Sequence, residues 1–294
     1  MLFNNELNNM KKLNVFIFTI IILFFLNTRA YAQDHNFYIF LCFGQSNMQG
    51  AAPIESQDMT VNNRFKMFQA QDCPNQNRKK AEWHPAVPPS CQCTSGLSPA
   101  DYFGKTLVDN LPDDITVGII NVSVAGCDIR LFDKDIYKDF DSTYKEKWFA
   151  SLIAGYDGNP YQYLINLAKL AQKDGVIKGI LLHQGETNAG QEQWPLYVKK
   201  IYGDMLTDLK LNADSVPLLA GELLAADGNC CSQMNPIIRK LPNTIPSAHI
   251  ISSEGCTGFD TAHFDARGCR ELGRRYGREM LTLLGYEAIY PKSK

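Results

Sequence analysis

Residues 37–43, Phe-Tyr-Ile-Phe-Leu-Cys-Phe, constrain the fold more than any other stretch of the chain. The run is short, aromatic-rich and closed by Gly44, and it lacks the polar alternation of a strand with one wet face. Those features fit a parallel strand buried on both faces better than a helix. Open α/β sheets bind ligands in the crevice beyond the carboxyl ends of their strands. The residues after Gly44 therefore stand where chemistry takes place, and Ser46 in Gly44-Gln45-Ser46-Asn47-Met48 is a candidate nucleophile. The alternative is that Ser46 merely caps a helix, which serine does often.

Further apolar runs follow at the spacing of an α/β domain. Residues 64–68 alternate as a half-buried edge strand does. Residues 71–97 carry Pro, Cys, Asn and Gln without a period and read as a long loop, in which Trp83-His84-Pro85 is a candidate wall of a substrate groove. Ser98-Pro99-Ala100-Asp101 starts a helix that runs towards Asn110, with Ser as cap, Pro in the first turn and an acid near the positive end of the dipole. A buried strand over residues 115–124 ends at Ala125-Gly126-Cys127-Asp128. A helix begins at Asn159-Pro160 and stops by Gly175. A third buried strand, 176–182, delivers His183-Gln184-Gly185-Glu186-Thr187-Asn188. A helix over 195–211, a strand at 216–221, a short helix near 236–240, a strand at 248–251 and a helix over 266–284 complete the pattern. Strands alternating with helices predict one α/β domain with a central, mainly parallel sheet, and no linker divides it.

The N-terminus is a separate object. Lys11 and Lys12 precede an apolar core at 15–26, and Ala30-Tyr31-Ala32 offers a small-x-small cleavage site, the layout of a secretory signal peptide. Met10 is an alternative start, and a buried N-terminal helix is the alternative reading of the segment. The apolar core is short for a membrane span. The expected organisation is therefore a signal peptide at 1–32, one domain at 33–294, and a secreted or periplasmic location.

Export changes what the nine cysteines mean, because all lie after residue 32 and disulfides are permitted outside the cytosol. Cys73, Cys91 and Cys93 sit in the long loop, where a staple helps most. Cys256 and Cys269 flank the segment from Asp260 to His263. The odd count leaves at least one thiol unpaired within the chain, and Cys42, in mid-strand, is the candidate. A zinc site is the rival use, but His is scarce and no Cys-x-x-Cys occurs. The formal net charge of −2 gives no support for binding nucleic acid or anionic membranes, which calls for basic patches.

Ser46, the Gly126 loop and the turn after His183 all follow strand ends, and Asp260-Thr261-Ala262-His263 follows the last strand by a short loop. On one sheet they converge at the carboxyl edge. Acyl transfer needs a nucleophile, a base, an acid to orient the base, and donors for the oxyanion. Ser46, His263 and Asp260 supply the first three, and three-residue spacing lets the carboxylate fold back onto the ring nitrogen.

Gly44-Gln45-Ser46-Asn47-Met48, His183-Gln184-Gly185-Glu186 and Asp260-x-x-His263 together resemble the motif set of the SGNH-type carbohydrate esterases. That branch holds acetylxylan esterases (carbohydrate esterase family six) and sialate O-acetylesterases. The resemblance covers most of residues 37–284. It implies a three-layer, flavodoxin-like fold and makes Ser46 the nucleophile, His263 the base and Asp260 its partner. The oxyanion hole it implies is the Ser46 N–H, the Gly126 N–H and the Gln184 side-chain amide. Glu186 is either a second acid on His263 or a support for loop backbone, and the supporting role is the expected one. Cys127 stands where the family usually has a small Thr or Ser. The Gly-x-Ser-x-Gly elbow of α/β-hydrolases is absent, because Met48 takes the place of its second glycine. No cofactor or metal is implied.

The expected activity is removal of O-acetyl groups from polysaccharide, most of all acetylated xylan. The rival within the esterases is sialate O-acetylesterase, for which Arg64 and Arg130 are candidate carboxylate forks. The rival outside them is a non-catalytic carbohydrate-binding domain on the same fold.

Overall fold

The computed structural model describes residues 33–142, 146–225 and 228–287; the segment read as a signal peptide lies outside the described residues. β1 (Asp34–Gly44) leads into a single helical turn, α1 (Ser46–Gln49). Then come β2 (Phe65–Phe68), β3 (Trp83–Pro85), α2 (Pro99–Asn110) and β4 (Thr116–Ser123). α3 (Lys147–Ala154) and α4 (Pro160–Ala171) lead to β5 (Gly175–His183), and α5 (Trp194–Leu209) leads to β6 (Leu218–Gly221). The short α6 (Asn235–Ile238) and α7 (Leu241–Thr244), β7 (Ala248–Ile251) and α8 (Ala266–Leu283) follow. The sheet order is β3-β2-β4-β1-β5-β6-β7, parallel except for β3 against β2.

β1 is central because its apolar run satisfies both faces. Phe37, Ile39, Leu41 and Phe43 face one core with residues of α4 and α5. Phe40 and Cys42 face the other with residues of α2 and α8. Successive side chains of a strand point to opposite faces, so a strand covered on both sides must be apolar at every position. β4 and β5 pair with β1 on opposite edges, and the loops after all three open side by side. Gly44 is required at this junction: its φ is +148°, and a Cβ there would lie 2.1 Å from the His183 carbonyl oxygen.

α2 is held at its start by a capping box. The Ser98 Oγ accepts from the Ala100 N–H, and the Asp101 carboxylate accepts from the Ser98 N–H at 2.8 Å. α8 lies so near α2 that a Cβ on Gly273 would come within 2.4 Å of the Pro99 carbonyl oxygen. α4 starts as its sequence requires, with the Asn159 side chain accepting from the Gln162 N–H.

Two expectations change in the 64–97 region. β2 is not the sheet edge, since β3 pairs with it on its outer side. Trp83-His84-Pro85 is that edge strand and does not line the pocket beside Ser46. Trp83 packs between Phe37 and Phe68, with ring centroids 4.6 and 4.8 Å away, and its indole N–H donates to Asp174. Three residues of strand inside a Pro- and Cys-rich stretch carry too little periodicity to stand out. The loop is pinned by a Cys73–Cys93 disulfide, and a second disulfide joins Cys230 to Cys231. Cys42, Cys91, Cys127, Cys256 and Cys269 are buried free thiols, so the pair flanking Asp260 and His263 is not bridged.

Candidate active site

Ser46 is the first residue of α1, directly beyond the end of β1. Its backbone N–H is among the first-turn donors that a helix leaves without an intrahelical partner. His263 and Asp260 lie on the loop between β7 and α8, and the side chains meet Ser46 in a single chain of hydrogen bonds. Ser46 Oγ and His263 Nε2 are 2.8 Å apart, and His263 Nδ1 is 2.8 Å from Asp260 Oδ2. With a proton on Nδ1 donated to the carboxylate, Nε2 is free to accept from the serine hydroxyl, the arrangement a general base requires. Asp260 Oδ1 also accepts from the backbone N–H groups of Ala262 and His263, at 2.8 and 2.7 Å, so the carboxylate folds its own loop around the ring. Partial burial pushes the Asp260 carboxyl up, but the hydrogen bonds from the His263 ring and the two N–H groups outweigh it. The carboxyl is held below its ordinary value, hence ionised. The Phe259 ring lies nearly parallel to the imidazole, with centroids 5.7 Å apart and planes 13° apart.

Glu186 does not touch His263. Its Oε1 accepts from the Asn47 side-chain amide at 2.8 Å. That same amide nitrogen donates to the Ala262 carbonyl oxygen, and Asn47 Oδ1 accepts from the Phe264 N–H. Glu186 thus orients Asn47, and Asn47 clamps both sides of His263. Asn47 is the residue that the spacing argument left without a role. Its place one residue after the nucleophile, on the buried side of a one-turn helix, is the signal that points to it.

Gly126 lies in the left-handed region at φ +73° and lines the pocket beside Ser46. Among the described residues its N–H meets no acceptor, while the peptide around it is fixed on either side. The Ala125 N–H donates to Gln49 Oε1 at 2.7 Å, and Thr187 Oγ1 donates to the Gly126 carbonyl at 2.9 Å. Two donors, the N–H groups of Ser46 and Gly126, therefore border the space in front of the serine hydroxyl. Gln184 does not join them. Its amide nitrogen is buried and is within hydrogen-bond distance of Gln45 Oε1, the Cys127 carbonyl and Asn188 Oδ1, and its oxygen accepts from the Trp194 indole. The expectation that Gln184 donates to the oxyanion is corrected on that ground: both of its protons are already engaged inside the protein, and it ties the β5 loop to its neighbours. Cys127 likewise points away from the pocket, buried with its thiol against the Gly44 carbonyl, and burial pushes that thiol well up. His183 is buried under Phe264, with its Nε2 on the Glu222 carbonyl, and takes no part in the relay.

The pocket in front of Ser46 has a volume of about 380 Å³. Neither candidate arginine reaches it. Arg64 donates to the carbonyls of Leu111, Pro112 and Ile115, beyond the end of α2, and Arg130 is held bidentate by Asp128 with its guanidinium over the Phe140 ring. One carboxylate cluster among the described residues, Asp133, Asp135 and Asp204, has a metal-like spacing. The Lys200 ammonium already sits 2.7–2.9 Å from all three acids.

A mainly parallel central sheet, helices on both faces and a hydroxyl–imidazole–carboxylate chain at its carboxyl edge form an arrangement found among serine ester hydrolases. Within that class the family described as carbohydrate esterase, sialic acid-specific acetylesterase, matches residues 36–282, and the chain belongs to that family. It is a carboxylic ester hydrolase of the carbohydrate-esterase kind. Solved structures share the fold at low sequence identity. A protein from Arabidopsis thaliana is 16% identical with a TM-score of 0.64, over 83% of this chain and 98% of its own. NanS is 15% identical with a TM-score of 0.63, over 86% and 99%. A carbohydrate acetylesterase from Xanthomonas citri is 16% identical with a TM-score of 0.58, over 83% of this chain and 56% of its own.

Proposed function

We propose that the chain is an exported serine acetylesterase that removes O-acetyl groups from neutral polysaccharide of the xylan type, with a signal peptide at 1–32 and one esterase domain from residue 33 onwards. The observation that carries the mechanism is the unbroken chain Ser46–His263–Asp260 opening into a pocket beside the Gly126 N–H. Ser46 attacks the acetyl carbonyl as His263 takes its proton. The developing oxyanion is met by the Ser46 and Gly126 N–H groups, which stabilise the transition state more than the substrate. His263 then protonates the departing sugar oxygen, and water activated by the same ring releases acetate from Ser46.

The charge of the pocket supports a neutral sugar. Its described lining holds Glu186 and no Lys or Arg, whereas a sialic acid carboxylate calls for a cationic fork. Sialate O-acetylesterase is the second reading, favoured by the family's own description. Acetate release from acetylated xylan and from O-acetylated sialic acid, measured side by side, separates the two. The first should be turned over with at least tenfold higher kcat/KM; the reverse preference overturns the xylan reading. The disulfides support export, since thiols pair outside the cytosol.

A further inference from the structure

The Cys230–Cys231 disulfide lines the pocket in front of Ser46 and lies between adjacent residues. A disulfide stabilises a fold chiefly by closing a loop in the unfolded chain, and the effect grows with loop length. The Cys73–Cys93 bond, with a sequence separation of 20, has that rationale. A separation of 1 closes no loop, so the second bond is not explained as a staple.

Its surroundings give it another. Cys230 is exposed, and its backbone N–H donates to the Thr261 carbonyl at 2.8 Å, two residues before the catalytic imidazole. Asn229 Oδ1 accepts from the N–H groups of Cys231 and Ser232, which fixes the turn from the other side. The pair therefore borders the pocket beside the loop that carries His263. Trp148, 44% exposed, supplies the other large apolar surface of the lining. Joined sulfurs carry no S–H donor and are polarizable, and an indole face is equally suited to the C–H face of a sugar ring.

We propose that the Cys230–Cys231 disulfide, together with Trp148, is the platform on which the pyranose ring of the substrate rests while its acetyl group faces Ser46. This deepens the carbohydrate reading above and rests on it. The platform fixes specificity for the sugar side of the ester; it takes no part in the acyl chemistry.

The test is steady-state kinetics with acetylated xylan and a peracetylated xylose. In the C230S/C231S variant KM for both should rise roughly tenfold, the cost of one lost apolar contact, with kcat changed less than about twofold. Reducing the unaltered enzyme with a phosphine should raise KM in the same way and reoxidation should restore it. The same reductant should add nothing to the variant, which separates this bond from Cys73–Cys93. An unchanged KM in both the variant and the reduced enzyme overturns the platform alone. A fall in kcat at constant KM also overturns it, and would make the disulfide a brace for the His263 loop. If the unaltered enzyme releases acetate from neither sugar, the carbohydrate reading falls and the platform with it.

Discussion

Asp260 and Glu186 are both acids near one imidazole, yet their partners give them different work. Asp260 accepts from the ring itself and from two backbone N–H groups, whereas Glu186 reaches the ring only through Asn47 and the Ala262 carbonyl. Asp260→Asn removes the negative partner and favours the wrong tautomer, so kcat should fall by roughly a thousandfold or more. Glu186→Gln keeps an oxygen that can still accept from the Asn47 amide. Its kcat should fall by no more than about tenfold. If Glu186→Gln is the more damaging of the two in steady-state assays, the orienting acid has been misassigned. Gln184, too, is told apart by its partners. A side chain just past a buried strand suits either an oxyanion donor or a tie between loops, and only the positions of its acceptors separate the two.

At the scale of elements, the start of α2 holds a carboxyl that burial has pushed up to about 6, despite the hydrogen bond from the Ser98 N–H that lowers it. A carboxyl raised above its unfolded value binds its proton more tightly in the folded protein. The stability it contributes is fully present below about pH 4 and is lost as pH rises through about 6. Asp101→Asn keeps the capping oxygen and cannot ionise. Chemical denaturation at pH 5 and pH 8 should show the unaltered protein losing about 1–2 kcal/mol relative to the variant between the two. A constant difference would mean that Asp101 is not the titrating group.

The same helix shows what the sequence made legible. Ser98, Pro99 and Asp101 announce a helix start from local chemistry alone, and β1, β4 and β5 announce themselves as unbroken apolar runs. β3 is three residues long and owes its existence to Trp83 packing on Phe37 and Phe68, contacts far apart in the chain. Ser46, His263 and Asp260 were readable because short-range spacing and strand ends sufficed to place them. The contacts of Asn47, Thr187 and the Cys230–Cys231 pair were not, because they depend on which loop folds against which.

Over the whole molecule, one face of the central sheet is closed by α4 and α5 and the other by α2 and α8, leaving the carboxyl edge as the open end. Among the described residues no helix is long and apolar enough to cross a membrane. If the chain is exported as proposed, mass spectrometry of the secreted protein should find Gln33 at its N-terminus. Alkylation without reduction should label Cys42, Cys91, Cys127, Cys256 and Cys269 after denaturation and leave Cys73, Cys93, Cys230 and Cys231 untouched. Labelling of all nine cysteines in the denatured, unreduced protein would contradict both disulfides.

The central claim is that Ser46 is the nucleophile of this esterase, and covalent labelling tests it most directly. A fluorophosphonate reacts with a serine hydroxyl only where a base removes its proton and donors receive the developing oxyanion. Peptide mass spectrometry should then place one phosphonyl group on Ser46, with esterase activity lost in proportion to labelling. Full inactivation with the label on any other residue, or full labelling of Ser46 with activity retained, would contradict the account.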